Sequence, residues 1–152
     1  SIFITSGKSA DLKDIQIDNW NGTIFTTSGI NITATGNATV VQLPIETFDT
    51  HNYLAASDIV IAKAGWGTIS EALLSKRNLV LIEREGVLED TENINELKRR
   101  GVAVSIKETE LARIDMQAIM DLIAENIVRE NLEAYENTVK KVIHILSLNR
   151  HY

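Results

Sequence analysis

The sequence contains no cysteine, one proline and few aromatic residues, and what it lacks excludes several classes of protein. Without cysteine it can form neither a disulfide framework nor a thiolate metal site. The histidines, His51, His144 and His151, are too scattered to indicate a zinc site. No apolar run approaches the roughly 18 to 20 residues of a membrane span, and no signal peptide opens the chain. The formal net charge of -6 disfavours binding to nucleic acid.

What remains is an ordinary globular composition, with 44% hydrophobic and 24% charged residues. The length of 152 residues suits one domain with a substantial core. The chain opens at Ser1 on an apolar segment, without an initiator methionine. We therefore interpret residues 1–152 as a single domain and as the C-terminal fragment of a two-domain protein.

Short apolar or β-branched runs predict six strands, and from the fourth strand onward they alternate with helical patterns. The predicted strands are residues 2–5, 23–27, 40–43, 59–62, 79–82 and 102–105. The predicted helices are residues 49–57, 68–76 and 90–100, the last followed by Gly101 as its C′ residue. This alternation is typical of βαβ units. The predicted fold class is therefore α/β, a Rossmann-like open parallel sheet with helices on both faces.

Other regions are less regular. Residues 6–22 hold at most a short helical turn, and residues 30–39 fit either an extra strand or a hairpin. After Asp115 the chain is predicted to be helical almost to its end. An apolar stripe with helical spacing follows, made of Leu132, Tyr135, Val139, Val142 and Leu146. We interpret this stripe as packing on the domain's own sheet; contact with a partner domain is the alternative.

A glycine-rich turn joins the predicted strand 59–62 to the helix that begins near Thr68. It reads Ala64-Gly65-Trp66-Gly67-Thr68-Ile69-Ser70-Glu71. The glycines allow a close backbone approach or positive φ, and the free N–H groups of the helix start favour an anion. A phosphate fits there, and Glu71, one turn into the helix, can accept hydrogen bonds from sugar hydroxyls.

A structural explanation of the same turn also exists. Thr68 and Glu71 have capping-box spacing, with Thr68 at N-cap and Glu71 at N3, which accounts for both without a ligand. Gly65 and Gly67 favour the ligand site, because a capping box does not need them. The indole of Trp66 either covers a ligand or a domain interface, or packs over the sheet edge.

The loop after the first strand, Ser6-Gly7-Lys8-Ser9, has the end of a P-loop pattern. Ile2 stands where that motif needs glycine, which makes a nucleoside triphosphatase a weak interpretation. The loop still follows a strand at the carboxyl edge of the sheet, where open α/β folds bind ligands. Lys8 is either a phosphate counter-charge or a solvated lysine.

A charged loop follows the fifth predicted strand at the same edge. It reads Glu83-Arg84-Glu85-Gly86-Val87-Leu88-Glu89-Asp90. Glu89 and Asp90 can accept from sugar hydroxyls, and Arg84 can meet a phosphate. Asp90 also suits the N-cap of the next helix.

Residues 54–101 resemble the C-terminal domain of GT-B glycosyltransferases, in the group of the peptidoglycan GlcNAc transferase that acts on undecaprenyl-linked muramyl peptide. The resemblance covers about a third of the chain strongly. The matching text is Ala56-Ser57-Asp58-Ile59-Val60-Ile61, then Ala64-Gly65-Trp66-Gly67-Thr68-Ile69-Ser70-Glu71-Ala72-Leu73, then Asn78-Leu79-Val80-Leu81-Ile82, and Leu97-Lys98-Arg99-Arg100-Gly101-Val102.

The resemblance implies one half of a GT-B fold, binding a nucleotide-diphosphate sugar such as a UDP-sugar. It puts Gly65, Gly67, Thr68 and Ser70 near phosphate and Glu71 on the ribose. The remaining nucleotide-site candidates are Ser6, Gly7 and Lys8 beside the diphosphate, Thr47 and Phe48 beside the base, and Trp66. The donor-sugar candidates are Arg84, Glu89 and Asp90, where family members commonly have a proline and an Asp/Gln or Gln/Gln pair.

Inverting transfer without a bound metal or a cofactor is the mechanism that the resemblance implies. The general base and the acceptor pocket belong to the N-terminal domain in that family, so this chain alone is expected to bind donor without catalysis. We expect a cytoplasmic protein, peripheral at the membrane in its full-length form. Two alternatives stay open: a separate donor-binding subunit of a two-chain transferase, and a non-catalytic nucleotide-sugar sensor.

Overall fold

The computed structural model describes residues 1–5, 14–47, 49–134 and 144–145. The strands in these ranges are β1 (Ile2–Thr5), β2 (Asp14–Asp18), β3 (Thr23–Thr26), β4 (Asn31–Ala34), β5 (Thr39–Gln42), β6 (Ile59–Lys63), β7 (Asn78–Glu83), β8 (Ala103–Lys107) and β9 (Arg113–Asp115). The α-helices are α1 (Thr50–Ala56), α2 (Trp66–Leu74), α3 (Leu88–Arg99), α4 (Met116–Asn126) and α5 (Arg129–Glu133). All six predicted strands and all three predicted helices are confirmed, with ends shifted by at most two residues.

Six parallel strands form the main sheet, in the order β5-β3-β1-β6-β7-β8. Counted along the chain, this is the 3-2-1-4-5-6 order of dinucleotide-binding sheets, and it confirms the predicted open parallel α/β fold. The order reverses between β1 and β6, which pair from Ile2 with Ile59 to Thr5 with Ala62. Such a switch point opens a crevice at the carboxyl ends of the strands, and ligands of open α/β sheets bind there.

The two faces of the main sheet bury different apolar clusters, because successive strand side chains point to opposite faces. One face lies under α1, α2, α3 and α5, whose buried residues include Leu54, Ile69, Leu97 and Leu132. The other face is rich in isoleucine and lies under α4, so helices cover both faces as predicted. Leu132 packs on the domain's own sheet, whereas Tyr135, Val139, Val142 and Leu146 lie outside the described residues.

A second parallel sheet, in the order β4-β2-β9, covers the rest of the isoleucine-rich face. It was not predicted. The expectation of a helical turn was wrong over residues 14–18, which form β2, and residues 30–39 contain the extra strand β4. Ile15 and Ile17 are both buried in β2. Residues two apart point about 200° away from each other on a helix but to the same face of a strand, so only a strand buries both.

None of the helices within the described ranges has the length and apolar character that a bilayer crossing requires.

The helices α2 and α3 end in the same hydrogen-bond pattern, with different residues in the left-handed position. Lys76 has φ 57° and Gly101 has φ 68°. In both cases that residue and the next one donate their amide hydrogens back to helix carbonyls at 2.9 to 3.2 Å. Gly101 therefore occupies the C′ position, as predicted. Lys76 occupies the equivalent place despite its side chain.

Replacing Lys76 with glycine should raise the free energy of unfolding by about 1 kcal/mol, because a non-glycine residue in this conformation is strained. The opposite change, Gly101→Ala, should lower it by about 1 kcal/mol or more. An added Cβ there also lies 3.2 Å from Val128 Cγ2. Urea denaturation of both variants measures the effects, and an unchanged stability of Lys76→Gly would contradict the assignment of strain.

Two carboxylates lie in hydrogen-bond networks that lower their pKa to about 2. Asp18, at the end of β2, accepts hydrogen bonds from Gln16, Thr35 and Arg113, and these bonds lower its pKa to about 2. The Arg113 Nε to Asp18 Oδ2 distance is 2.6 Å. Glu96 on α3 has its pKa lowered to about 2 by hydrogen bonds from Arg99 and Arg100.

The domain should lose stability as the pH falls from about 4.5 to about 2. Both carboxylates have a lower pKa in the folded chain than in the unfolded chain, so the unfolded chain binds more protons in this window. Their contribution is present above the unfolded pKa and is lost as the pH falls through the folded pKa. Urea unfolding from pH 6 to pH 2.5 should show a flatter pH dependence for the Asp18→Asn, Glu96→Gln double variant. Parallel curves for the two proteins would count against this origin.

Candidate functional site

The turn after β6 leads directly into α2, which begins at Trp66, two residues before the predicted start. Gly65 is the N-cap residue, with φ -88° and ψ 136°, and as a glycine it has no side chain with which to cap the helix. The Gly65 carbonyl accepts the first intrahelical hydrogen bond, from the Ile69 N–H at 3.0 Å. The N–H groups of Trp66, Gly67 and Thr68 precede that bond, so helix geometry gives them no intrahelical acceptor.

The capping-box explanation of Thr68 and Glu71 is therefore wrong. Thr68 is the third residue of the helix rather than its N-cap, and Glu71 lies in the second turn. Glu71 is exposed, whereas Thr68 and Ser70 are half-buried. The glutamate thus stands on the outside of α2, about one turn beyond the free N–H groups, and its side chain does not cap the start of the helix.

Gly65 and Gly67 are required neither by the local backbone nor by packing. Neither has positive φ, so that part of the expectation was wrong. A Cβ built on either residue meets no atom of the described residues within 4 Å. Glycine within a helix weakens it by about 1 kcal/mol relative to alanine. This cost applies to Gly67, which lies inside α2, whereas Gly65 is the N-cap, a position that glycine tolerates well. The absence of a side chain at both positions allows a close approach to this backbone.

Residues that the sequence analysis did not single out stand at the same switch point. Lys63 ends β6, is half-buried, and its carbonyl accepts the Gly65 N–H at 2.8 Å. On the neighbouring strand β1, Thr5 Oγ1 accepts a hydrogen bond from Thr27 Oγ1 at 3.4 Å. An ammonium group and two hydroxyls therefore belong to the strand ends beside the crevice. For Thr5 the strand order was the missing signal, because only the pairing of β1 with β6 brings this strand end to the glycine turn. Lys63 adjoins that turn in the sequence itself.

The other nucleotide-site candidates divide into three groups. Trp66 is half-buried and packs against the apolar cluster beneath α2. Thr47 is half-buried in the loop after β5, where its N–H donates to the Pro44 carbonyl at 3.0 Å. Four candidates lie outside the described residues: Ser6, Gly7, Lys8 and Phe48.

In the segment after β7, which includes the first turn of α3, two of the donor-sugar candidates contact each other. Arg84 Nε donates to Asp90 Oδ2 at 2.7 Å, and Asp90 is only 5% exposed. This hydrogen bond raises the pKa of Arg84. The N-cap interpretation of Asp90 is wrong, because α3 has Val87 as its N-cap and Asp90 lies in its first turn. Glu89 lies in the same turn and is exposed.

Two clefts lie near β8. The larger, of about 640 Å³, flanks the outer part of β8 and α4 and does not include the glycine turn. The smaller, of about 560 Å³, opens at the carboxyl ends of β7 and β8 and includes Arg84. Because the ends of parallel strands meet at one edge, this smaller cleft lies along the same edge as the glycine turn.

Comparison with known proteins agrees with the fold. The model of the glycosyltransferase family 28 C-terminal domain matches residues 2–146. The UDP-N-acetylglucosamine--N-acetylmuramyl-(pentapeptide) pyrophosphoryl-undecaprenol N-acetylglucosamine transferase of Bacteroides thetaiotaomicron is 35% identical over 88 residues, which are 57% of this chain and 23% of that protein. The chain thus spans about a quarter of the length of this curated relative.

Two solved structures share the fold. The glycosyltransferase SnogD from Streptomyces nogalater gives a TM-score of 0.61 at 15% identity, covering 95% of this chain and 43% of that one. The glycotransferase of kitacinnamycin gives 0.57 at 15% identity, covering 92% and 39%. The match to the family model extends over almost the whole chain and confirms the resemblance seen at the glycine turn. The chain belongs to the glycosyltransferase family 28 C-terminal domains.

Proposed function

We propose that this domain binds the nucleoside diphosphate of a sugar donor at the start of α2. The observation that carries the proposal is the start of α2, whose N-cap is a glycine without a capping side chain. Among the described residues, open space lies beside Gly65 and Gly67. Free N–H groups and the positive end of the helix dipole stabilise a phosphate there. Membership of a glycosyltransferase family supports a nucleotide-sugar ligand. The name of the curated relative specifies UDP-N-acetylglucosamine, so we propose a UDP-sugar donor.

The rest of the nucleotide would extend from this anchor. Glu71 is exposed one turn beyond the free N–H groups and would accept hydrogen bonds from the ribose hydroxyls. The hydroxyls of Thr68 and Ser70, both half-buried on α2, would lie near the diphosphate, with Lys63 as a counter-charge. The loop that contains Thr47 would border the base.

The proposed reaction is inverting transfer to an acceptor hydroxyl. The hydroxyl oxygen forms a bond to the anomeric carbon, the bond from that carbon to the diphosphate oxygen breaks, and the nucleoside diphosphate leaves with the electron pair. The N–H groups at the start of α2 would stabilise the charge on the leaving group, so we propose that no bound metal is needed. A base on an N-terminal domain, of the same or a partner chain, would take the proton. A cytoplasmic protein, peripheral at the membrane, suits a membrane-held acceptor.

A non-catalytic nucleotide-sugar sensor is the second candidate. It is favoured by the ion pair between Arg84 and Asp90, which stands where the family commonly has polar ligands of the donor sugar. A sensor would keep the α2 site but would transfer no sugar. Full-length protein that binds the nucleotide sugar and gives no product with any acceptor would select this alternative.

Isothermal titration of the chain with UDP, GDP, ADP and dTDP, with and without EDTA, tests the proposed function. Binding of one nucleotide that EDTA does not change would support a donor domain and would identify its base. If the chain and the full-length protein both bind none of the four, the proposed function is refuted.

Glu71→Ala should weaken binding of that nucleotide by about 1 to 3 kcal/mol, the size of hydrogen bonds to a charged acceptor. The free energy of unfolding should stay within about 0.5 kcal/mol of the parent value, because Glu71 is exposed and does not cap α2. Glu125→Ala, an exposed glutamate on α4, is the matched control and should leave affinity unchanged. Equal affinities of Glu71→Ala and the parent chain would remove Glu71 from the site.

A further inference from the structure

Arg84 is held in one orientation at the wall of the 560 Å³ cleft. Its Nε–H is bonded to Asp90 at 2.7 Å, and the Asp90 side chain is 7% exposed. Asp90 lies in the first turn of α3, where the helix dipole stabilises a carboxylate. A buried carboxylate behind an arginine restricts the rotamers of the arginine and therefore removes much of the entropy cost of ligand binding.

The bond through Nε leaves the two terminal amino groups of Arg84 available to the cleft. Within the described ranges, the guanidinium has no other hydrogen bond or ion pair, and its side chain remains 27% exposed. The Glu108 carboxylate acts on it through space and also raises its pKa. The paired N–H groups of a guanidinium match the two oxygens of a carboxylate or a phosphate. Arg84 is thus positioned to bind an oxyanion, and this geometry suits an oxyanion better than neutral sugar hydroxyls.

The other charges of the cleft distinguish between these two oxyanions. Glu83, Glu85 and Glu108 also line it, and Lys107 is the second cation. Glu83 accepts a hydrogen bond from Ser105 and lies 3.8 Å from Lys98 Nζ. Three carboxylates repel a doubly charged phosphate more strongly than a singly charged carboxylate. The cleft is therefore suited to a hydroxyl-rich ligand that carries one carboxylate.

We propose that Arg84, held by Asp90, binds a carboxylate on the donor sugar, so that the donor is a nucleoside-diphosphate uronic acid. The inference rests on the proposed function, since it needs the diphosphate at α2 to direct the sugar toward the ends of β7 and β8. It adds the chemical class of the sugar and assigns Arg84 as the residue that selects it.

Titration of the full-length protein with UDP, UDP-glucose and UDP-glucuronate tests the inference. If another base is preferred, the corresponding diphosphate, neutral sugar and uronate of that base replace them. The uronate should bind at least about tenfold more tightly than the neutral sugar, as expected for a bidentate charged hydrogen bond. Arg84→Gln should bring the ratio close to one and should leave the affinity for UDP unchanged. Equal affinity for the two sugars in the parent protein would overturn the inference.

Two further variants keep the result interpretable. Arg84→Gln leaves Asp90 buried without its partner, so the double variant Arg84→Gln, Asp90→Asn removes both charges and should show the same loss of preference. Arg113→Gln removes an arginine outside this cleft whose Nε also pairs with a carboxylate, that of Asp18, and should keep the preference. An equal loss of UDP and UDP-glucuronate affinity in Arg84→Gln would place the guanidinium on a phosphate and overturn the uronate assignment. UDP binding without a uronate preference refutes this inference alone, whereas no nucleotide binding refutes the proposed function with it.

Discussion

Aspartate in place of Gly65 should reduce nucleoside diphosphate affinity by at least about 100-fold, or roughly 3 kcal/mol, without harming the fold. Gly65 is the N-cap of α2, in an extended conformation that aspartate adopts freely. In the part of the chain that the structure describes, no atom lies within 4 Å of a Cβ at this position. The new carboxylate would accept hydrogen bonds from the free amides of α2, so it would occupy the place of the phosphate and repel it.

The stability of the same variant should be unchanged or higher by up to about 1 kcal/mol, because a capped helix is at least as stable as one capped by glycine. Affinity should therefore fall while stability is kept, whereas a misfolded variant would lose both. Titration with the nucleotide that binds the parent chain and urea denaturation of the same samples give the two quantities.

A series of substitutions at position 65 separates the effects of bulk, capping and charge on nucleotide affinity. Gly65→Ala adds bulk without a cap, Gly65→Ser adds a neutral cap, and Gly65→Asp adds a charged one. Affinity should fall in that order if the amides of α2 bind the phosphate. Gly67→Ala adds a methyl group above the second open position and should also weaken binding while it stabilises α2 by up to about 1 kcal/mol. Parent-like affinity for Gly65→Asp would exclude the start of α2 as the phosphate site.

The main sheet could be predicted from the sequence because its central strands are buried on both faces and read as continuous apolar runs. Residues 59–62, for example, are all buried. Strand alternation with helices then implied parallel pairing. The start of α2 could not be predicted in the same way, since Gly65 serves as N-cap while Thr68 and Glu71 carry the more familiar capping pattern.

The second sheet escaped prediction because its signal is short and its partners are distant. Ile15 and Ile17 alternate with polar residues over only five positions of β2. The pairing that makes β2 a central strand is with β9, where Ile17 lies opposite Ile114. Local periodicity cannot identify a partner strand so far along the chain. A covering layer is nevertheless required, because both faces of the main sheet are buried.

The ion pair between Arg84 and Asp90 depends on the residue at which α3 begins. A helix that begins at Asp90 would expose that residue as an N-cap. The observed helix begins at Leu88, which turns Asp90 inward to 5% exposure and brings it to Arg84. A shift of two residues in a helix start therefore changed Asp90 from a ligand candidate into the residue that holds one.

The second sheet is part of the domain core, and Ile17→Ala should show this with the largest stability loss of the variants considered. Ile17 is 0% exposed and belongs to the same apolar cluster as Ile4 and Ile61 of the main sheet. Truncating a buried isoleucine to alanine costs about 2 to 5 kcal/mol, a large share of the roughly 5 to 15 kcal/mol that stabilise a typical domain. Urea unfolding followed by circular dichroism measures the loss.

Unfolding of Ile17→Ala should remain a single transition, because one cluster joins β2 to the main sheet and both must lose it together. Ile45→Ala is the control, since Ile45 is 81% exposed and should change stability by no more than about 0.5 kcal/mol. A loss below about 1 kcal/mol for Ile17→Ala, or a separate early transition, would make the second sheet an appendage. Where Ile17→Ala is still folded, its nucleotide affinity should equal that of the parent chain, because α2 packs on the opposite face of the main sheet.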